Sequence, residues 1–510
     1  MMRWSRVDAW GPLAALVGVG VFLLQGFEGS LTRDVSVYAY AGQQVADGVP
    51  PYVQILNRAG PLAHLVPGAG AALGELVGAD ELLAMRVTMM VLSALALWAA
   101  YVLGRDLYGS RLAGVMTSAA LLSFQGFVTY ATGGPREKTT MVLFMLLALW
   151  AVSRRHWPAA GVATALATLS WQGSFVPLTV VVAVAVVALP GGWRPRVTAL
   201  LRFAVAGLAV ALVTVVYFLA VGAFAEFYEG FYAVNAGYTT QRGLLTLLQT
   251  PRRLVTGFGW SLTLLVVGVL ASLAVSAARF RRLDRDSPGA VAVAALGPGT
   301  VSCLLWSLMA FEGWPDAFLF LPFAACGLAG LGHLLVASWR PARAPRVAGL
   351  VVGALVVATA TTALLSRSHD LVEQRRHNDA VLAVLDDPEV LAISNPAPLV
   401  FAEARNPIRY QLFSGGQADY LRATYPRGMR GLARAVKRAH PTVITVYGQP
   451  WAWIQPVLQR DYLLLGGGPK PYAWYVSVSQ TTSEERAEMQ RLLRDTLPDA
   501  GASGVRRSVA

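Results

Sequence analysis

Apolar windows long enough to cross a bilayer recur along the first 366 residues of this chain, and arginine-rich loops close every second gap between them. A transmembrane helix needs about 20 predominantly apolar residues. Such windows lie near 10–27, 83–104, 111–130, 136–153, 157–172, 174–190, 198–221, 254–277, 289–310, 315–338 and 346–366. They predict an α-helical polytopic membrane protein with about 11 transmembrane helices. The loops "GRDLYGSR", "SRRHW", "GGWRPR", "SAARFRRLDRDS" and "SWRPARAPR" all fall on one side. Lys and Arg accumulate in cytoplasmic loops, so that face is read as cytoplasmic, together with the N-terminus. The opening "MMRWSRVDAWGPLAALVGVGVFLLQGF" has a basic start and a long apolar run with no small-x-small cleavage site, and reads as an uncleaved first span. An odd number of spans then places the chain beyond about residue 366 outside the cytoplasm of a cell membrane.

Composition narrows the function classes. Hydrophobic residues make up 55% and charged residues 14%, against about 25% charged in a soluble domain. The net charge of +13 comes from the orienting loops. No basic run is interleaved with aromatics, so nucleic acid is not an expected partner. Cys303 and Cys326 both sit in apolar segments, which makes them packing residues rather than a disulfide framework or a thiolate zinc site. The six histidines show no metal-ligand spacing. No repeat of 20–50 residues and no inverted repeat is visible.

Beyond residue 366 the composition shifts. "HDLVEQRRHNDAVLAVLDD" predicts an amphipathic helix, "APLVFAE", "PTVITVYG" and "YAWYVSVSQ" predict strands, and "RGLARAVKRAH" and "SEERAEMQRLLRDTL" predict helices. Residues 1–366 are therefore expected to form a transmembrane domain and 367–498 an extracytoplasmic α/β domain, with 499–510 a disordered tail. "NPIRYQLFSGG" and "LLLGGGPKPY" are glycine-bearing loops that either touch substrate or are ordinary turns.

In this topology the unusual polar residues collect on the outer face. The first outer loop, about 28–82, begins "RDVSVYAYAGQQVADGVPPY". Its first part places Val37, Ala41 and Val45 on one helical face and predicts an interfacial helix, with Asp34 in the first turn and Tyr38 one turn on. "GVPPY", ending at Tyr52, breaks that helix, and Asn57 and Arg58 then precede a Gly-Pro helix start. Further on, "TGGPREKTT" puts Arg136, Glu137 and Lys138 in the first turn of a span, where free N–H groups and the helix dipole favour an anion such as phosphate. "LSWQGS" brings Gln172 to the same face, and "FEGWPDAFLFLP" brings Glu312 and Asp316. Each has a plainer reading too: Asp34 and Glu137 would complement a helix dipole, and Arg136 and Lys138 would anchor a helix at the interface.

Together these pieces resemble the GT-C glycosyltransferases, polytopic enzymes that use polyprenyl-monophosphate sugars and include the dolichyl-phosphate-mannose–protein mannosyltransferases. The resemblance covers roughly residues 1–340 and is carried by "RDVSVYAYAGQQVADGVPPY", "NRAGPL", "LLAMRVTMMVLSAL" with "YVLGRDLYGSRLAG", and "EGWPDAFLFLPFAA". It implies that Asp34 is the catalytic carboxylate and that Arg58 meets the lipid phosphate, joined by Arg136 and Lys138. Tyr38, Tyr52, Asn57, Glu137, Gln172 and Asp316 would form the substrate cavity. Asn57–Arg58, Trp171 and Asp316–Ala317 depart from the family's usual residues, so fold and reaction carry over further than the donor sugar or acceptor. The implied function is transfer of a sugar, mannose among the candidates, from a polyprenyl-phosphate donor to a glycan, lipid or protein acceptor at the outer bilayer face. A single displacement would invert the anomeric centre. No cofactor is demanded; a divalent metal would have to be held by Asp34 with Glu137 or Asp316. Two rival readings are a transporter or flippase of a lipid-linked sugar, which should carry mid-membrane charges and paired broken helices, and a non-catalytic assembly protein working through its α/β domain.

Overall fold

The computed structural model describes residues 8–238, 244–338, 344–467 and 472–495. Among them, six helices are long and apolar enough to cross a membrane: Glu81–Tyr108, Trp193–Ala220, Ser261–Arg281, Pro288–Ala310, Trp314–Val336 and the apolar helix Ala344–Leu365. The pair Arg111–Leu122 and Gln125–Gly133 turns by 68° between its halves and makes a seventh if the two are one broken span rather than a re-entrant loop.

The remaining windows form shorter helices. Trp10–Gln25 has 16 residues and Glu137–Ser153 has 17. Windows 157–172 and 174–190 become Trp157–Ser170 and Phe175–Val187, separated by a tight turn at Gln172–Ser174. Window 254–277 is divided: one helix ends at Phe258 and the next starts at Ser261, because Gly259 adopts a positive φ of 49° that interrupts the ladder.

The first outer loop holds two helices, Arg33–Ala46 and Leu62–Val77. The former is no surface helix with one wet face. Every residue from Val35 to Gln44 is buried, because a second layer covers the face the sequence leaves open. That layer is the C-terminal segment. Val35, Ala39, Tyr40 and Ala41 share one apolar core with Val390, Leu399, Val400 and Trp474. Polar contacts fix the docking: Ser36 Oγ donates to Asn395 Oδ1 at 2.5 Å, Gln43 Nε2 to the Val400 carbonyl at 3.2 Å, and Tyr40 Oη accepts from the Asn406 amide at 2.9 Å.

The C-terminal segment carries a four-stranded sheet: β1 Val390–Ile393, β2 Val443–Tyr447, β3 Tyr462–Gly467 and β4 Tyr472–Ser477, in the order β1-β2-β4-β3. β1 and β2 run parallel and the other pairs antiparallel. "APLVFAE", expected as a strand, is instead the helix Ala397–Ala402. Pro398 suits the first helical turn, and the Asn395 side chain accepts the Ala397 amide at 3.0 Å, so the local chemistry starts a helix. The strand lies one step earlier, in "VLAI", whose four residues are all buried. "LLLGG" belongs to β3, with a bulge between Leu464 and Gly466, while residues 468–471 of that glycine-bearing stretch lie outside the described residues. So does the whole of the expected tail, 499–510.

Candidate active site

A cavity of about 520 Å³ opens where the first outer loop, the start of helix Glu137–Ser153, the Gln172–Ser174 turn, the 312–316 turn and the C-terminal segment converge. Asp34, Tyr38, Asn57, Arg58, Arg136, Glu137, Lys138, Gln172 and Asp316 all line it, although they are scattered over 280 positions of sequence. Tyr52 does not. It is 1% exposed, stacks between His64 and the rings of Phe218 and Phe227, and donates its hydroxyl to the Ala59 carbonyl at 2.7 Å. Its position behind the wall places it as a brace for the Asn57–Arg58 turn rather than a lining residue.

Charge alternates around the cavity. Arg33 grips Asp34 Oδ1 through Nε at 3.2 Å and Nη2 at 3.1 Å, and Arg136 Nη1 lies 3.1 Å from Asp34 Oδ2. Arg136 Nε lies 3.4 Å from Glu137, and Lys138 Nζ bridges Glu137 at 3.3 Å and Asp316 at 2.7 Å. Arg58 pairs with Glu312 at 3.0 Å and donates to the Gly415 carbonyl at 2.9 Å. Among the described lining residues, the cations Arg33, Arg58, Arg136 and Lys138 thus face the carboxylates Asp34, Glu137, Glu312 and Asp316. Aromatic faces hold two of the cations. The Arg136 guanidinium sits 5.1 Å from the Tyr130 ring centre and 5.4 Å from that of Tyr38, and Lys138 Nζ sits 4.4 Å from that of Trp171.

Asp34 is open to the cavity, with 45% of its side chain exposed, as Arg33 is at 40%, while Arg136 beside it shows 4%. Burial pushes the Asp34 carboxyl up, but the Arg136 and Arg33 guanidiniums outweigh it and hold the group at about 2. Burial and the Glu137 charge push the Tyr38 hydroxyl the other way, well above its ordinary range, so it stays protonated as a donor.

The positions have local causes. Arg136 is the N-cap residue of Glu137–Ser153 and adopts an extended backbone. The turn before it is tied down by Arg86, which is fully buried and donates to the carbonyls of Gly134, at 3.1 Å, and Phe27. Asp316 accepts the amides of Glu312 at 2.5 Å and Gly313 at 3.3 Å, so one carboxylate both caps the turn and counters Lys138. Gln172 and Asn235 both donate to the Arg58 carbonyl, at 3.0 and 2.9 Å, and aim the Arg58 side chain from behind. The "NPIRYQLFSGG" loop does reach the site. Its Gly415 has a φ of +61°, and a Cβ there would meet the Arg58 guanidinium carbon at 2.7 Å.

A larger, shallower recess of about 840 Å³ lies among the arginine-rich loops, where Asp106 pairs with both Arg105 and Arg154. It gathers residues of the arginine-rich loops and none of the groups that line the 520 Å³ cavity. Among the described residues no three His, Cys, Asp or Glu side chains come together as metal ligands.

No family model and no curated protein matches the sequence. Solved structures do match the fold. ArnT from Cupriavidus metallidurans in the apo state superimposes with a TM-score of 0.61 at 14% identity, over 93% of this chain and 99% of that one. The chain has the ArnT fold. ArnT bound to undecaprenyl phosphate gives 0.58 at 15% identity, again over 93% and 99%. A mutant form of the mycobacterial arabinofuranosyltransferase AftD gives 0.50 at 15%, over 94% of this chain and 42% of that one. Near-complete coverage of ArnT means that the C-terminal sheet belongs to the shared fold along with the helices. The mostly helical membrane fold with a small C-terminal sheet, expected from the sequence, is borne out at that level.

Within the ArnT fold, several groups at the cavity carry little sequence signal. Arg33 reads as a membrane-flanking charge until its bond to Asp34 is seen. Asn235 hides in the aromatic run "YEGFYAVNAG", and Trp306 sits mid-window in an apolar span. Glu312 was legible as an acid at the mouth of a span, but its pairing with Arg58, 254 positions away, was not.

Proposed function

We propose that this protein is a membrane glycosyltransferase that takes a sugar from a polyprenyl monophosphate and passes it to a hydroxyl acceptor on the extracytoplasmic face. The observation that carries this reading is a half-exposed carboxylate, Asp34, set among the guanidiniums of Arg33 and Arg136 with Lys138 and Arg58 lining the same cavity. Displacement at an anomeric carbon needs a base for the incoming hydroxyl and fixed positive charge for the leaving phosphate. Asp34 is suited to the first role, and Arg58, Arg136 and Lys138 to the second. Tyr38 and Asn57 are placed to orient the sugar, with Glu137, Gln172 and Asp316 holding the cations in position. The ArnT structure with undecaprenyl phosphate supports a lipid-phosphate ligand for this fold.

The lipid chain has a path. Val176, Trp306 and Ala310 line one flank of the cavity, and beside them Phe175, Leu305, Leu308 and Met309 are exposed on the helices Phe175–Val187 and Pro288–Ala310. An apolar flank of this kind faces hydrocarbon in a bilayer. The polyprenyl chain lies there, with its phosphate at the basic groups.

Donor binding then does more than deliver the sugar. A carboxylate held at about 2 is a weak base. A phosphate drawing Arg136 toward itself leaves Asp34 with fewer positive neighbours and makes it more basic. The acceptor proton moves to Asp34 Oδ2 as its oxygen bonds to the anomeric carbon, and the polyprenyl phosphate departs with the bonding electrons. Transfer by this single displacement inverts the anomeric configuration. We further infer eleven spans, a cytoplasmic N-terminus and an extracytoplasmic domain over 367–498, as the alternation of arginine-rich loops indicates.

The test is purified protein incubated with a panel of radiolabelled polyprenyl-phosphate sugars, mannosyl and arabinofuranosyl donors among them. Release of polyprenyl phosphate with inverted product is the expected result. Movement of an uncleaved donor across liposome membranes, with no cleavage of any donor, would establish a flippase instead.

A further inference from the structure

A second cavity, about 220 Å³, lies between residues 30–33 of the first outer loop and the C-terminal sheet. The rings of Phe401, Tyr447, Tyr472 and Trp474 line it. So does Asn378, on the helix Asp370–Leu382, which is 3% exposed and has neither amide atom in a hydrogen bond. The buried Tyr472 hydroxyl has no partner either. A buried amide and phenol left unpaired are costly, and native proteins satisfy nearly all such groups. Something that hydrogen-bonds belongs in this space.

The lining narrows what it is. Arg33 is the charged lining residue among those described, and it is already bonded to Asp34. Burial holds the His377 ring below its ordinary range, so it adds no positive charge at neutral pH. A phosphate or carboxylate would have to take Arg33 from Asp34 with no second cation among the described lining residues, whereas the larger cavity offers it four. An amide offers two donors and an acceptor, and a phenol offers one of each, which matches hydroxyl groups. Aromatic walls match the apolar C–H faces of a ring.

We propose that this cavity is an acceptor subsite that seats one sugar ring, so that the acceptor is a glycan or glycolipid. The assignment rests on the transferase function proposed above. Arg33 lines both cavities and joins them through its grip on Asp34 Oδ1. A ring bound here lies beside the guanidinium that holds the base, and the next sugar unit of the acceptor reaches the catalytic cavity.

The test uses the full chain in nanodiscs without donor. The probes are methyl pyranosides and methyl furanosides, followed by saturation-transfer NMR, with N-acetyl-serine amide as a stand-in for a protein acceptor. Tyr472→Phe removes a single oxygen. Asn378→Leu keeps the volume and removes an unpaired amide, so it melts no lower than the wild type. Wild type is expected to bind at least one glycoside and not the serine amide. Each variant should weaken that binding about tenfold and raise the acceptor KM by a similar factor, with kcat and donor KM unchanged. If no glycoside binds, or both variants bind as wild type does, ordered water fills the cavity and the proposal is wrong. The two readings fail separately. Glycoside binding without transfer from any donor overturns the transferase and keeps a sugar site. Transfer with an unaltered acceptor KM in both variants keeps the transferase and overturns the subsite.

Discussion

In the proposed mechanism Asp34 concentrates the chemistry in one carboxylate, and its environment sets a direction for the pH dependence. Protonation of Asp34 removes the base, so activity falls on the acid side. The profile of kcat/KM reports the free enzyme and that of kcat the donor complex. In the free protein the group sits at about 2, below its ordinary 3.8. On the proposed mechanism, donor phosphate draws Arg136 from Asp34 in the complex and the value rises. The acid limb of kcat should therefore lie at higher pH than the acid limb of kcat/KM, and initial rates measured across pH with donor varied will show it. Coincident limbs would mean that donor binding leaves the Asp34–Arg136 pair intact. The same depression has a stability consequence. Ionised Asp34 contributes stability that is present above 3.8 and lost as pH falls through about 2. At this scale the sequence was informative where a residue's own chemistry is unusual at its depth, as for Asp34, Arg58 and Arg136. Asn235 and Trp306 were silent because an amide in an aromatic run and a tryptophan in a span are ordinary until their neighbours are known.

The helix Arg33–Ala46 shows how elements decide which residues become a site. It bears Asp34 and Tyr38, and it is clamped on both sides. Gly42 packs so closely on the helix Leu62–Val77 that an added Cβ would lie 2.8 Å from Pro67 Cβ. On its other side, Tyr40 holds the Asn406 amide. Tyr40→Phe strands that buried N–H and should cost about 1–3 kcal/mol. Hydrogen exchange should localise the loosening to 33–46 and to the 404–411 strap, with the membrane helices unaffected. Uniform exchange changes across the protein would refute this docking role. The period of the apolar residues made the helix itself legible, but not the second covering layer, because burial of the polar face depends on a segment more than 340 positions away. The misplaced strand at "APLVFAE" has a local cause. By composition the short apolar run suits a strand, but the Asn-Pro-Ala-Pro stretch before it starts a helix.

At the scale of the whole molecule, the proposed topology puts every group of the candidate active site on one side of a bilayer. Cys303 and Cys326 are buried, so engineered thiols on the native background report topology. Gln480→Cys lies on an exposed part of the C-terminal segment, and Asp286→Cys lies in an arginine-rich loop. An impermeant maleimide added to intact cells should label the first and reach the second only after permeabilisation; the reverse pattern would invert the topology. The alternation of apolar windows and arginine loops made the membrane-helical architecture legible, since hydropathy and charge act over single segments. The broken and shortened helices were harder to see. At the bend between Leu122 and Gln125 the Gln125 amide donates to Ser261 Oγ at 2.9 Å, and beside the Gln172–Ser174 turn the Ser170 carbonyl accepts the Gly60 amide at 3.3 Å, so partners distant in sequence satisfy backbone groups that a lone span would have to satisfy itself. The most direct test of the central claim, that this cavity transfers sugar with Asp34 as its base, compares wild type with Asp34→Asn. Initial rates of sugar transfer from a polyprenyl-phosphate donor would be measured in the same membranes, with equal insertion checked. The account predicts a loss of about 10²- to 10⁴-fold in rate with donor binding retained. Equal rates would contradict it and return Asp34 to the role of a charge at the start of a helix.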